Sequence, residues 1–197
     1  MMSRVSLIVV DNFFDDPDSV RDLALSVPYN FIADYPGMRT KGINEIQSLQ
    51  LKEKFGKILN QTITRWDMFD GDSKKHMNTC FQLCLKDDTT WVHHDYTKWA
   101  AVAYLTPDAD IDSGTGFFSH KETGICVWDK NNPKTDYNTT DDMYDIDKWQ
   151  LIAEVKNVYN RMILYRADQY HRSMVPGFGN NYLTGRLTQV FFFDTDE

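Results

Sequence analysis

Cysteine is scarce in this chain, three residues in 197, and the count is odd. That argues against a disulfide framework. Cys80 and Cys84 would stand about 13 Å apart on a strand, too far to bridge, so the cysteines, Cys126 included, read as small hydrophobes. Long apolar runs are missing too. The stretch Val5 to Val10, interrupted by Ser6, is too short for a signal segment and far short of a membrane span. No membrane partner and a reducing, cytoplasmic setting are the expectations. Positive charge is in deficit: 21 Lys and Arg face 29 Asp and Glu, a formal charge of −8. Such a surface disfavours passive binding to nucleic acid. Internal repeats and low-complexity tracts are absent, and no pattern speaks to oligomeric state.

The length suits one domain over 1–197, and 42% apolar residues is the share of a packed globular chain. Its first part, 1–77, reads as a strand followed by helices. Leu7 to Val10 is the strand. Asp16-Pro17 is a helix start, with an acidic cap and proline at the first helical position, and Val20, Leu23, Ala24 and Val27 follow at helical spacing up to Pro28. A second helix is expected over about Ile46 to Gln61, with Leu51, Phe55, Ile58, Leu59 and Thr62 as its stripe.

From Asn78 the period changes. Phe81, Leu83 and Leu85 alternate with Cys80, Gln82 and Cys84, which is a strand. Further strands are expected at Val92 to Tyr96, Trp99 to Thr106, after a Gly114-Thr115-Gly116 turn, at Gly124 to Trp128, Leu151 to Val158, Arg161 to Tyr165 and Arg186 to Phe193. Tyr159-Asn160 is a tight turn. Many short strands after two helices suggest an α+β chain, mainly β, with a β-sandwich or jelly-roll core over 78–197. Asp129 to Lys148 is polar, acidic and without period, and reads as a lid or a solvated insertion.

One set of polar residues points to chemistry. His93 and Asp95 would share one face of an extended segment, while His94 points to the other as a packing residue. His171 follows a later strand. Two imidazoles and a carboxylate with open positions opposite form the facial triad suited to non-heme Fe(II). Arg186 begins an apolar strand, where a guanidinium is costly unless paired, and it could clamp a carboxylate of a metal-bound acid. Thr188 shares its face and could add a hydroxyl. A lone His-x-Asp also occurs on surface strands, an arginine at a strand end can reach solvent, and His171 could be a loop residue bonded to backbone. His76, in a charged turn, suits the surface. His120 could face the pocket.

In order and spacing these segments resemble the 2-oxoglutarate- and Fe(II)-dependent oxygenases, most closely the prolyl-hydroxylase-like branch. The likeness runs over about Phe81 to Asp194. It rests on His93-His94-Asp95, Ala103-Tyr104-Leu105-Thr106, Gly114-Thr115-Gly116-Phe117, Asn160 to Tyr165, His171 and Gly185-Arg186 through Phe193-Asp194. The resemblance implies a double-stranded β-helix (jelly roll, cupin-like) with the two helices packed on it. It implies His93, Asp95 and His171 as catalytic iron ligands. It implies Arg186 and Tyr104 on the distal carboxylate of 2-oxoglutarate, with Gln82 towards the cosubstrate's other end. The implied reaction is O2-dependent hydroxylation of a C–H bond, with 2-oxoglutarate decarboxylated to succinate. Trp91, Tyr96, Trp99, Phe117 and Trp128 could line the entrance. Two departures would rim the pocket: a long stretch between His171 and Arg186, and the insertion from Asp129. Peptidyl proline, a free amino acid or another small metabolite stay open as substrates. A nucleobase is disfavoured, since no second arginine follows Arg186 closely. The alternatives are a non-catalytic jelly-roll binding module and a cupin-type metalloenzyme, although cupins favour His-x-His over His-x-Asp.

Overall fold

The computed structural model describes residues 6–32, 35–67 and 78–196. Ten strands and two helices run in the order β1 (Leu7–Val10), α1 (Pro17–Ser26), β2 (Met38–Gly42), α2 (Glu45–Leu59), β3 (Ile63–Arg65), β4 (Cys80–Cys84), β5 (Trp99–Tyr104), β6 (Thr115–His120), β7 (Trp149–Val155), β8 (Met162–Arg166), β9 (His171–Ser173) and β10 (Arg186–Thr195). Seven strands form one sheet, ordered β1-β8-β5-β10-β4-β2 with β3 beside β10. The other three form a second sheet, β7-β6-β9. Every pairing is antiparallel.

The helices start where their caps dictate. Asp16 accepts from the Ser19 amide (3.0 Å) ahead of Pro17. Asn44 accepts from the Gln47 amide (3.0 Å). Asn60 closes α2 in the left-handed region, φ 52°, its amide returning to the Gly56 and Lys57 carbonyls. Between them, α2 and the large sheet enclose the main core. Leu51 and Phe55 from α2 meet Trp99, Ala101, Ala103, Met162, Leu164, Phe191 and Phe193. The intervening residues of the same strands, Ala100, Tyr104, Ile163 and Tyr165, turn the other way and pack with Phe117 and Val155 of the small sheet. Period-two alternation thus gives the large sheet a helix side and an inner side.

Several expectations change. Strands β2, β3 and β9 lack an alternating apolar pattern and exist by pairing with β4, β10 and β6. Val92 to Tyr96 makes one bridge, His93 with His171, and Gly124 to Trp128 makes one, Val127 with Gln169. Gly116 lies inside β6, paired with Glu154 and Arg172, not in a turn; its lack of a side chain makes room for the Met174 sulfur, 2.5 Å from where a Cβ would stand. Residues 129–148 are neither a free lid nor simply solvated. They form four 3-10 helices, Pro133–Thr135, Tyr137–Thr139, Asp141–Tyr144 and Ile146–Lys148, with Tyr137 and Met143 buried. The Tyr170 hydroxyl fastens them, donating to the Thr135 carbonyl and accepting from the Tyr137 amide. The cysteines are free, with Cys80 and Cys84 buried. Among the described residues no helix is long and apolar enough to cross a membrane.

Candidate metal centre

His93, Asp95 and His171 meet. One ligand atom from each lies within 4.8 Å of the others, and His171 Nε2 stands 3.4 Å from Asp95 Oδ2. The backbone makes this possible. His93 and His171 exchange amide-to-carbonyl bonds of 3.0 and 2.8 Å, and the Asp95 amide donates to Ala167 (2.8 Å). An irregular segment is thereby held edge-on to β9, with alternate residues, His93 and Asp95, on the same side.

The imidazoles are oriented for ligation. His93 Nδ1 lies 3.1 Å from the Trp91 carbonyl and His171 Nδ1 lies 2.8 Å from the Gln169 carbonyl. A carbonyl can only accept, so each Nδ1 carries the proton and each Nε2 offers its lone pair. Burial, with His171 alongside, pushes the His93 imidazole down to about 4, so it is neutral at ordinary pH. Burial opposes ionisation of Asp95, but contact with His171 Nε2 at 3.4 Å, with His93 and Arg39 nearby, outweighs it and holds the carboxyl below its usual range. Two imidazoles with Nε2 turned inward and a carboxylate, all on one side of a point, suit a divalent first-row ion with open positions opposite.

The triad borders a cavity of about 650 Å³, a size that holds small-molecule ligands. Arg186 lines it too, buried, its Nε donating to the Ser113 carbonyl (3.3 Å) and its guanidinium 5.7 Å from the Tyr104 ring centroid. Tyr104 is fully buried and does not itself line the cavity. Its hydroxyl shares a 2.8 Å hydrogen bond with the hydroxyl of Thr115, which does. Burial raises the Tyr104 phenol, so it stays protonated. Gln82 lines the cavity, its amide held by Arg39 Nε (3.2 Å) and the Pro36 carbonyl (2.7 Å). Thr188 is buried behind it, its hydroxyl 3.5 Å from the Gln82 carbonyl.

The other two described histidines serve structure. His94 stacks on Trp128 at 4.3 Å, with Nε2 3.2 Å from Asp136. His120 does not face the pocket; it stacks on Tyr137 at 4.3 Å, 3.1 Å from Asp142. Both therefore secure the 129–148 segment. His76 lies outside the described residues. Of the proposed entrance aromatics, Trp91 and Tyr96 line the cavity. Trp99 and Phe117 sit in cores, and Trp128 covers His94. Sequence reasoning missed Arg39 and Tyr35, which also line the cavity. Arg39 sits in Gly37-Met38-Arg39-Thr40-Lys41-Gly42, which reads as a solvated turn. Only its pairing opposite Gln82 turns it inward.

Residues 1–193 match a family of unknown function, DUF6445. The chain belongs to that family. No curated protein matches it in sequence. Solved structures do resemble it in shape. One is HygX from Streptomyces hygroscopicus with nickel and 2-oxoglutarate bound, at 11% identity and TM-score 0.57, covering 95% of this chain and 82% of that one. Another is a prolyl hydroxylase from Trichoplax adhaerens in complex with a hypoxia inducible factor peptide fragment, also at 11% identity and TM-score 0.57, covering 95% and 83%. At such identity the likeness establishes the fold. This DUF6445 member has the mainly β, jelly-roll architecture of the 2-oxoglutarate/Fe(II) oxygenases.

Proposed function

We propose that the chain, acting as one domain over 1–197, is an Fe(II)- and 2-oxoglutarate-dependent dioxygenase that hydroxylates a C–H bond of a peptide or small molecule. One observation carries this reading. Three ligand atoms of the right chemistry converge within 4.8 Å, on a cavity that a buried arginine also lines. The binding of nickel and 2-oxoglutarate by HygX, and of a peptide by the Trichoplax enzyme, agrees with it. Iron held by His93, Asp95 and His171 would supply O2 activation coupled to oxidative decarboxylation of the 2-oxo acid.

The protein's own residues do the rest. The Trp91 and Gln169 carbonyls keep both imidazoles in the ligating tautomer. Arg186 pairs with the distal carboxylate of 2-oxoglutarate, and the Thr115 hydroxyl, held by Tyr104, donates to the same group. Gln82, fixed by Arg39 and Pro36, borders the space beside the cosubstrate. Trp91 and Tyr96 form the mouth and exclude water when substrate is seated.

Anaerobic titration with Fe(II) and 2-oxoglutarate tests this reading. A weak visible charge-transfer band is expected with both present and should vanish in His171→Ala. Arg186→Ala should weaken 2-oxoglutarate binding by ~10- to 100-fold and leave metal affinity unchanged. Absence of the band in the wild-type protein defeats the proposal.

A further inference from the structure

A buried phenol beside the triad has nothing from the protein to bond. Tyr165 is 2% exposed and lines the cavity. Its ring meets Phe117 edge-on at 5.2 Å and the His171 imidazole at 4.7 Å. Among the described residues no group hydrogen-bonds its hydroxyl. A buried hydroxyl left without a partner is unfavourable, and phenylalanine would fill the same space without that penalty. The hydroxyl therefore points to a ligand.

Tyr165 belongs to the triad end of the cavity. It pairs with Ala100, and Ala100 pairs with Phe192, so the three form one row across the inner side of the large sheet. Arg186 lies six positions from Phe192 along β10, roughly 20 Å of strand. Phenol and guanidinium thus attend opposite ends of the space between them. Other polar groups on the cavity wall are already engaged. The Gln82 amide is held by Arg39 and by the Pro36 carbonyl. Thr90 and Ser173 bond each other, Thr97 bonds the Trp99 carbonyl and Thr115 bonds Tyr104. The Tyr35 hydroxyl also lacks a partner, but it is buried beside Arg39 and not against a triad residue.

We propose that Tyr165 binds the metal end of the 2-oxo acid, its hydroxyl donating a hydrogen bond to the 1-carboxylate. This rests on the oxygenase reading. A 2-oxo acid that chelates through its keto oxygen and one carboxylate oxygen leaves the second carboxylate oxygen for the protein to satisfy. A protonated phenol supplies a charge-assisted donor there without adding positive charge beside the metal. Tyr165 and Arg186 then hold the two ends of one ligand.

Two 2-oxo acids separate the ends. 2-Oxobutyrate keeps the metal end of 2-oxoglutarate and lacks the distal carboxylate. Both are titrated calorimetrically into protein loaded with Mn(II). Tyr165→Phe should weaken both acids by a similar factor, ~10-fold or more. Arg186→Ala should weaken 2-oxoglutarate and leave 2-oxobutyrate within about twofold of wild type. Mn(II) affinity without either acid should be the same in Tyr165→Phe and wild type. Because the hydroxyl has no protein partner, Tyr165→Phe free of metal should be no less stable than wild type in denaturant. Unchanged affinity for both acids in Tyr165→Phe overturns the proposal. So does a loss confined to 2-oxoglutarate, which places the hydroxyl at the distal end, or a loss of Mn(II) affinity, which makes it a support of the triad. A Tyr165→Phe protein that is less stable or fails to fold also overturns it, since the hydroxyl would then serve the fold. If wild type binds 2-oxoglutarate but not 2-oxobutyrate, the proposal falls and the oxygenase reading stands. If it binds neither with Mn(II), the oxygenase reading falls and the proposal with it.

Discussion

At the scale of single residues, neighbours in sequence have opposite duties. His93 and Asp95 reach the cavity, while His94 between them is buried against Trp128 and Asp136. His94→Ala should cost ~1–3 kcal/mol of stability through lost stacking and an emptied polar site. Denaturant titration reads that loss, and Mn(II) affinity of the folded variant should stay close to wild type. Asp11 behaves differently because it is exposed. Its hydrogen bond to Arg161, with Nε at 2.6 Å and Nη2 at 3.0 Å, holds its carboxyl below the ordinary value. A lowered folded-state value means stability that is present above about pH 4 and lost as the pH falls further. Solvent screening keeps the contribution small. The denaturation midpoints of wild type and Asp11→Asn should therefore differ at pH 7, and the difference should shrink as the pH falls below 4.

At the scale of elements, α2 and the 129–148 segment hold by different means. Helix α2 contributes through one aromatic wedge. Phe55 lies 4.9 Å from Phe191 and 5.1 Å from Phe193, ring centre to ring centre, and is fully buried. Phe55→Ala should cost ~3–5 kcal/mol, seen as a lower denaturation midpoint with an unchanged slope. The 129–148 segment has little apolar area of its own and depends on polar fastenings from Tyr170, His94 and His120. Tyr170→Phe removes the hydroxyl that bonds Thr135 and Tyr137. Limited proteolysis should then cut within 129–148 faster, while the global melting temperature changes by only a few degrees. Equal cleavage rates in both proteins would show that the stacked rings alone hold the segment.

At the scale of the whole molecule, the metal triad joins an irregular segment to the small sheet, so filling it should tie the two together. A divalent ion at 100 times its dissociation constant should add ~2.7 kcal/mol. Thermal denaturation with Mn(II) should show that gain, EDTA should reverse it, and His171→Ala should abolish it. The helices, the apolar strands β4, β5, β8 and β10, and the alternation that divides inner from outer faces were legible in the residues, because caps and hydrophobic period are local properties. The inward sharing of His93 and Asp95 was legible for the same reason. Strands β2, β3 and β9 were not, since short polar segments become strands only when a partner edge is beside them. Arg39 was hidden likewise, because a guanidinium between two glycines looks solvated until β4 turns it towards the cavity. Chain chemistry alone therefore determined the helices, the apolar strands and the donor atoms available to a metal. Only tertiary pairing decided that those donors, 76 positions apart between Asp95 and His171, share one point, because backbone bonds between distant segments set that distance and no local pattern encodes them.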